Sequence, residues 1–347
     1  MRRFLLAALA ALTLAACEQD VPTLVKWVDN SLEGNRIGEA ERHAATLKRR
    51  DPNGARTHGA LAEIAAKKRD YATAEREFRA AIEASRKEGG TLRFHFRLGL
   101  TLMEAGRYVD AEVEFAGVAQ FDAANVAARY WRGRAAANAT RYADAVAAFS
   151  EALKLDPNHM DARVGRVEAL IATGDLGTAT KELDWLRDRA PTDAYVRVLD
   201  GTVDRKRGNP KDAEEALRKA FALQKRTAPP HVALADFLLS TGKLADAEAA
   251  LAGTPKKYAG AAGVLLRQGR LARLKGDRAR ALELLGRAQA ACPQAPVGPA
   301  WPDPARIDLF PADLKEAIEL ELKAARGEAA PASAAASAPV PAPAATR

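Results

Sequence analysis

The chain has 347 residues, enough for two ordinary domains or one long repeat array. With 48 % hydrophobic and 28 % charged residues it can build a large core, and its bulk does not have the composition of a disordered protein. Lys and Arg number 53 against 45 Asp and Glu, a formal charge of +8, but the excess is spread along the chain with no run of five basic residues, no zinc-finger spacing and no aromatic RNA-reading motif, which argues against nucleic acid as a partner.

The first residues are Met-Arg-Arg, then an apolar stretch from Phe4 to Leu14, then Ala15-Ala16-Cys17. A basic end, a short apolar middle and small residues before a cut describe a secretory signal peptide. About a dozen apolar residues are too few to cross a ~30 Å hydrocarbon core. Leu14-Ala15-Ala16-Cys17 resembles the lipobox of bacterial lipoproteins. The resemblance implies cleavage before Cys17, a diacylglycerol on its thiol and acylation of the new amine. Two or three acyl chains anchor stably where one binds only marginally. The expected boundaries are a signal peptide over 1–16 and an anchor linker over 17–22; an ordinary secreted protein with a chance cysteine is the alternative. In that family aspartate after the cysteine favours inner-membrane retention, whereas here Glu18 follows it. The expected location is therefore the periplasmic side of the outer membrane, with the inner membrane as the alternative and membrane contact through the N-terminal lipid only.

From Val21 onward the sequence repeats. In RYADAVAAFSEALKLDPNH, Arg141 to His159, an alanine at 145 recurs in steps of 34 at Ala111, Ala179, Ala213, Ala247 and Ala281. Upstream, Ala40 and Ala74 are also 34 apart, and about three residues are inserted near Lys87 to Gly90. Four positions beyond each alanine come Ala44, Phe78, Phe115, Phe149, Leu183, Leu217, Leu251 and Leu285; twelve beyond come Pro52, Pro157, Pro191 and Pro293, where a helix must end. Short turns carry Gly106, Gly174, Gly208, Gly242 and Gly276. Each unit therefore reads as two helices. The small anchor lets them approach, and the large residue one turn on fills the space towards the next unit. Such a unit cannot bury its face alone and must stack.

Spacing and residue types together resemble the tetratricopeptide repeat family, over Val21 to Ala295. The resemblance implies an all-α, right-handed superhelix of about eight helix-turn-helix repeats over 23–295, closed by a C-terminal capping helix. Arg132, Arg166 and Asp200 depart from the family, standing where it usually has apolar residues, and Pro210 replaces the usual aromatic, although a proline can open a helix there.

Residues 296–310 form a Pro-rich connection in which Trp301 and Phe310 are candidates to dock on the end of the array. Leu314, Ile318 and Leu322 at i, i+4 and i+8 predict an amphipathic capping helix over 311–327. The Pro/Ala-rich segment 328–347 lacks apolar bulk and reads as a disordered tail.

No enzyme is legible. The five histidines are scattered and never paired as metal ligands, and neither a phosphate loop nor a GxSxG elbow occurs. No metal or other cofactor and no small-molecule substrate is expected. With two cysteines there is no disulfide framework, and Cys292 reads as a small packed residue. Binding remains. In the repeat family the first helix of each unit lines a concave groove. Carried over, that places Arg93, Phe96, Arg97, Leu100 and Glu104 of the third unit and Tyr130, Trp131, Arg134 and Asn138 of the fourth in the groove. Aromatics and arginines are the residue types of binding hot spots, and guanidinium forks suit carboxylates. If the first helices are rotated by one position, Phe96, Tyr130 and Trp131 belong to the core instead. The resulting expectation is a lipid-anchored periplasmic scaffold that binds protein or peptide partners during pilus or secretin biogenesis or exopolysaccharide export. An accessory or specificity subunit of a periplasmic enzyme, such as a peptidoglycan hydrolase or synthase, is the alternative.

Overall fold

The computed structural model of the chain describes residues 20–86, 90–223, 227–292 and 311–328. The signal peptide, Cys17, Trp301, Phe310 and nearly all of the tail lie outside the described residues. Secondary structure within them is entirely helical, and the chain divides into two compact units, the first ending at Phe121 and the second beginning at Asp122.

The first unit holds three helical hairpins: α1 (Val21–Glu33) with α2 (Ile37–Arg50), α3 (Ala55–Lys67) with α4 (Tyr71–Ser85), and α5 (Thr91–Glu104) with α6 (Tyr108–Phe121). The second unit holds five. They are α7 (Val126–Asn138) with α8 (Tyr142–Leu155), α9 (Met160–Thr173) with α10 (Leu176–Arg189), α11 (Ala194–Lys206) with α12 (Pro210–Leu223), α13 (Pro229–Ser240) with α14 (Leu244–Ala252), and α15 (Ala262–Leu274) with α16 (Arg278–Ala291). A last helix, α17 (Pro311–Arg326), follows. Odd-numbered helices from α1 to α15 are the first, or A, helices of the repeats; even-numbered ones are the B helices.

The helix limits follow from local chemistry. The first N–H groups of a helix have no internal partner, and a side-chain oxygen just before the helix can accept from them. Asn125 and Asp193 do so for the A helices α7 and α11, and Asp70, Asp175 and Asp277 for the B helices α4, α10 and α16. Pro210 opens α12, where its missing N–H costs nothing. Inside each hairpin the chain reverses through one left-handed residue. Five such turns use glycine, at Gly106, Gly174, Gly208, Gly242 and Gly276, with φ between 75° and 86°. The other three use Asn35, Arg69 and Thr140 at φ 53°, 61° and 60°.

All eight anchor alanines, from Ala40 to Ala281, are fully buried, and the residue one turn beyond each, large in every repeat but the first, where it is Ala44, is at most 4 % exposed. These side chains separate the A and B helices of each repeat. Three departures from the family pattern replace apolar contact with ion pairs to a B helix. Arg132 lies 3.4 Å from Glu151, Arg166 lies 3.0 Å from Glu182, and buried Asp200 takes Arg187 of α10 at 2.6 Å and Arg197 of its own helix at 3.3 Å. At the end of the second unit, Leu314, Ile318 and Leu322 of α17 pack with Leu265, Leu266, Leu284 and Leu285 of repeat 8, with Cys292 partly buried against them.

Candidate partner-binding surface

The candidate residues lie on A helices, one set in each unit. In the first unit, α5 carries five of the expected residues. Arg93 is exposed, with its guanidinium 4.3 Å from the centre of the Phe94 ring. Phe96 is half-buried and meets Phe115 edge to face, with ring centres 5.4 Å apart. Arg97 reaches back one repeat to Glu63 of α3, Nε to Oε1 at 3.1 Å, so this arginine already holds a carboxylate. Leu100 is half-buried and Glu104 exposed. Burial pushes the Glu63 carboxyl above its ordinary range; Arg97 and Lys67 pull it down, and Asp29 and Glu104 push it up.

In the second unit, α7 carries the remaining four. Tyr130 is buried at 6 % exposure, packed against Trp131, Phe149 and the His159 ring, which stacks on it with centres 5.2 Å apart. The core alternative therefore describes Tyr130, and its ring is not a surface anchor. Trp131 and Asn138 are half-buried. Arg134 points to the next A helix, where its Nη1 is 3.7 Å from Oε2 of Glu168. Glu168 is 3 % exposed, and its Oε1 accepts from the Tyr195 hydroxyl of α11 at 2.6 Å. Arg134, Glu168 and Tyr195 thus link three successive A helices through one carboxylate. Beside them, burial pushes the Asp161 carboxyl up against the pull of His159 and Arg134.

The sequence reading passed over Glu63, Glu168 and Tyr195. A signal was present: steps of 34 from Arg134 reach Glu168, Thr202, Asp236 and Arg270, a polar column in helices otherwise patterned for burial. Among the described residues no group of His, Cys, Asp and Glu could hold a metal ion, and no helix is long and apolar enough to cross a membrane.

An all-helical stack of hairpins whose A helices are laced by ion pairs defines a repeat protein of the binding-scaffold class. Sequence profiles described as tetratricopeptide repeat match residues 136–199 and 205–269, and 25–89, 69–126 and 96–158. The chain belongs to the tetratricopeptide repeat family. No curated protein matches it. Among solved structures it is similar to a tetratricopeptide repeat protein from Parabacteroides merdae, at 15 % identity and TM-score 0.60, over 76 % of this chain and 98 % of that one. It is also similar to the C-terminal part of a repeat-containing protein from Cytophaga hutchinsonii, at 11 % identity and TM-score 0.52, over 77 % and 95 %. Yeast Tom70 matches at 13 % identity and TM-score 0.56, over 84 % of this chain and 60 % of that one. Likeness at these identities concerns the fold.

Proposed function

We propose that the chain is a lipid-anchored periplasmic scaffold that gathers protein partners during assembly or export at the bacterial envelope, in pilus or secretin biogenesis or exopolysaccharide export. The observation that carries this reading is the A-helix surface. Phe96, Arg97, Trp131 and Arg134 are not sealed in the core; Arg97 and Trp131 stand at matching positions of α5 and α7, 34 residues apart, and there is no catalytic grouping among the four. Leu14-Ala15-Ala16-Cys17 supports the anchor, and Glu18 supports the outer membrane. Affinity capture on the full chain tests the scaffold: several envelope proteins are retained by the wild type, and fewer by folded Trp131→Ala and Arg97→Ala variants. Capture unchanged in both variants removes the groove assignment. A single dominant hydrolase or synthase points to the accessory-subunit reading instead. Fractionation of Cys17→Ser tests the anchor, which predicts soluble protein or uncleaved precursor.

A further inference from the structure

On the outer side of α6 the row Val109, Val113, Gly117 and Phe121 runs four residues at a time, a ridge of the kind helices use to pack on one another. Val109, Val113 and Phe121 are 53, 66 and 81 % exposed, three of the six large apolar side chains exposed among the described residues. The other B helices do not share this. Two residues past the anchor alanine, where α6 has Val113, five of them expose Arg42, Arg76, Lys181, Glu215 and Glu283, and two expose alanine. α6 also contains no Lys or Arg, and its acids are engaged elsewhere. Asp110 accepts from Arg107 at 2.6 Å, Glu114 pairs with His95 at 2.6 Å, and Glu112 is buried. A bare apolar ridge on the outside of a helix is a surface that something covers.

We propose that this row is the contact through which two copies of the chain associate, α6 crossing its equivalent antiparallel about a two-fold axis. A contact of that symmetry has to be self-complementary. Reversed upon itself, the row sets each Val113 against Gly117 of the other copy and each Val109 against Phe121. A β-carbon at Gly117 would have nothing within 4 Å, so the backbone there is open to close approach. Charge selects against other occupants. The ridge offers no ion to a charged peptide or a lipid headgroup. Beside it in the same unit, α4 turns Arg76 and Arg79 outward, and these cannot follow the ridge into acyl chains. A contact one helix wide falls short of the ~1,200 Å² of stable interfaces, so the pairing is weak, with a dissociation constant on the order of 10–100 µM. It goes beyond the scaffold reading and uses none of its A-helix residues.

Sedimentation equilibrium on the chain from residue 17 onward, with Cys17→Ser so that no lipid drives association, decides it. The wild-type row gives a concentration-dependent dimer. Gly117→Val sets valine against Val113 of the other copy, and Val113→Gly leaves glycine against glycine. Each raises the dissociation constant about tenfold. The exchange Val113→Gly with Gly117→Val keeps the row self-complementary and restores the wild-type value. Val113→Asp abolishes the dimer. All these positions are on the outer side of α6, so the fold is kept, which circular dichroism checks. General apolar stickiness follows apolar area instead and is strengthened by Gly117→Val. The pairing is overturned by a chain that stays monomeric up to about 0.5 mM, which leaves the row to a different protein. It is also overturned by Gly117→Val associating as tightly as the wild type or more so, by an exchange that restores nothing, or by association that survives Val113→Asp. Each of those outcomes leaves the capture experiment on Trp131 and Arg97 standing, so the two readings fail separately.

Discussion

Gly133 of α7 lies directly under the ring of Phe149 of α8: a β-carbon on the glycine would come within 2.7 Å of two ring carbons. The far edge of the same ring meets Gly165 of α9, where a β-carbon would lie 2.6 Å from Cζ. Two glycines from adjacent repeats thus clasp one aromatic with no space for a methyl. Gly133→Ala forces the ring or the helix to shift and costs about 1–3 kcal/mol. Gly286 of α16 faces open space, with nothing within 4 Å of an added β-carbon, so Gly286→Ala stabilises by about 0.5–1 kcal/mol through helix propensity. Urea melts of the two variants should move in opposite directions.

Thr140 reverses the α7–α8 hairpin at φ 60°, a conformation that is strained for a β-branched residue. Thr140→Gly relieves that strain, loses one exposed hydroxyl bond to the Ala139 carbonyl, and stabilises by about 0.5–1 kcal/mol. Gly174→Ala at φ 85° has room for the methyl but the wrong backbone for it, and destabilises by about 1 kcal/mol. Thermal melts that rank Thr140→Gly below the wild type would contradict this account of the turns.

Removing the Tyr195 hydroxyl takes a short donor from buried Glu168. Tyr195→Phe keeps the ring and the packing, so its cost isolates the polar link and should be about 1–2 kcal/mol by chemical denaturation. A silent Tyr195→Phe would show that the carboxylate is satisfied without it.

The pH dependence of stability should carry the sign of Glu63. Its folded carboxyl lies above the ordinary range because burial disfavours the charge, helped by Asp29 and Glu104 and opposed by Arg97 and Lys67. The folded state then holds this proton more tightly than the unfolded state does. Its contribution is present at acid pH and is lost as pH rises from the ordinary glutamate value through the raised one. Glu63→Gln is blind to that titration, so the variant should gain on the wild type as pH climbs through this window. A stability difference that is flat in pH, or that runs the other way, would refute the assignment.

The repeat itself was legible because its physics is local. A small residue every 34 positions with a large one a turn later encodes helix contact directly, and all eight alanines are buried where that spacing puts them. Five of the eight hairpin turns were legible through glycine. Arg69 and Thr140 were not, since their residue types give no sign of the left-handed backbone that hairpin closure imposes, whereas Asn35 is of a type that tolerates it. At the candidate surface the helices were readable but the partners were not. Arg97 and Arg134 stood out as arginines, yet their carboxylates lie on the neighbouring A helices, at Glu63 and Glu168. Tyr130 was placed on the surface because its helix phase could not be fixed to one position from an alanine-rich pattern, and the stacking on His159 that buries it joins two repeats. The division after Phe121 is not marked in the sequence either, where the 34-residue step passes from Ala111 to Ala145 without a change.

Phe149 touches glycines sixteen residues behind it and sixteen ahead, and reaches no farther along the chain through them. In a stack held by such short clasps, injury stays near where it falls: a hairpin spoiled by mutation or oxidation loosens its immediate neighbours and leaves distant ones seated. A molecule built this way can lose one foothold for a partner and keep the rest, so mutational decay of its binding should be graded, not abrupt.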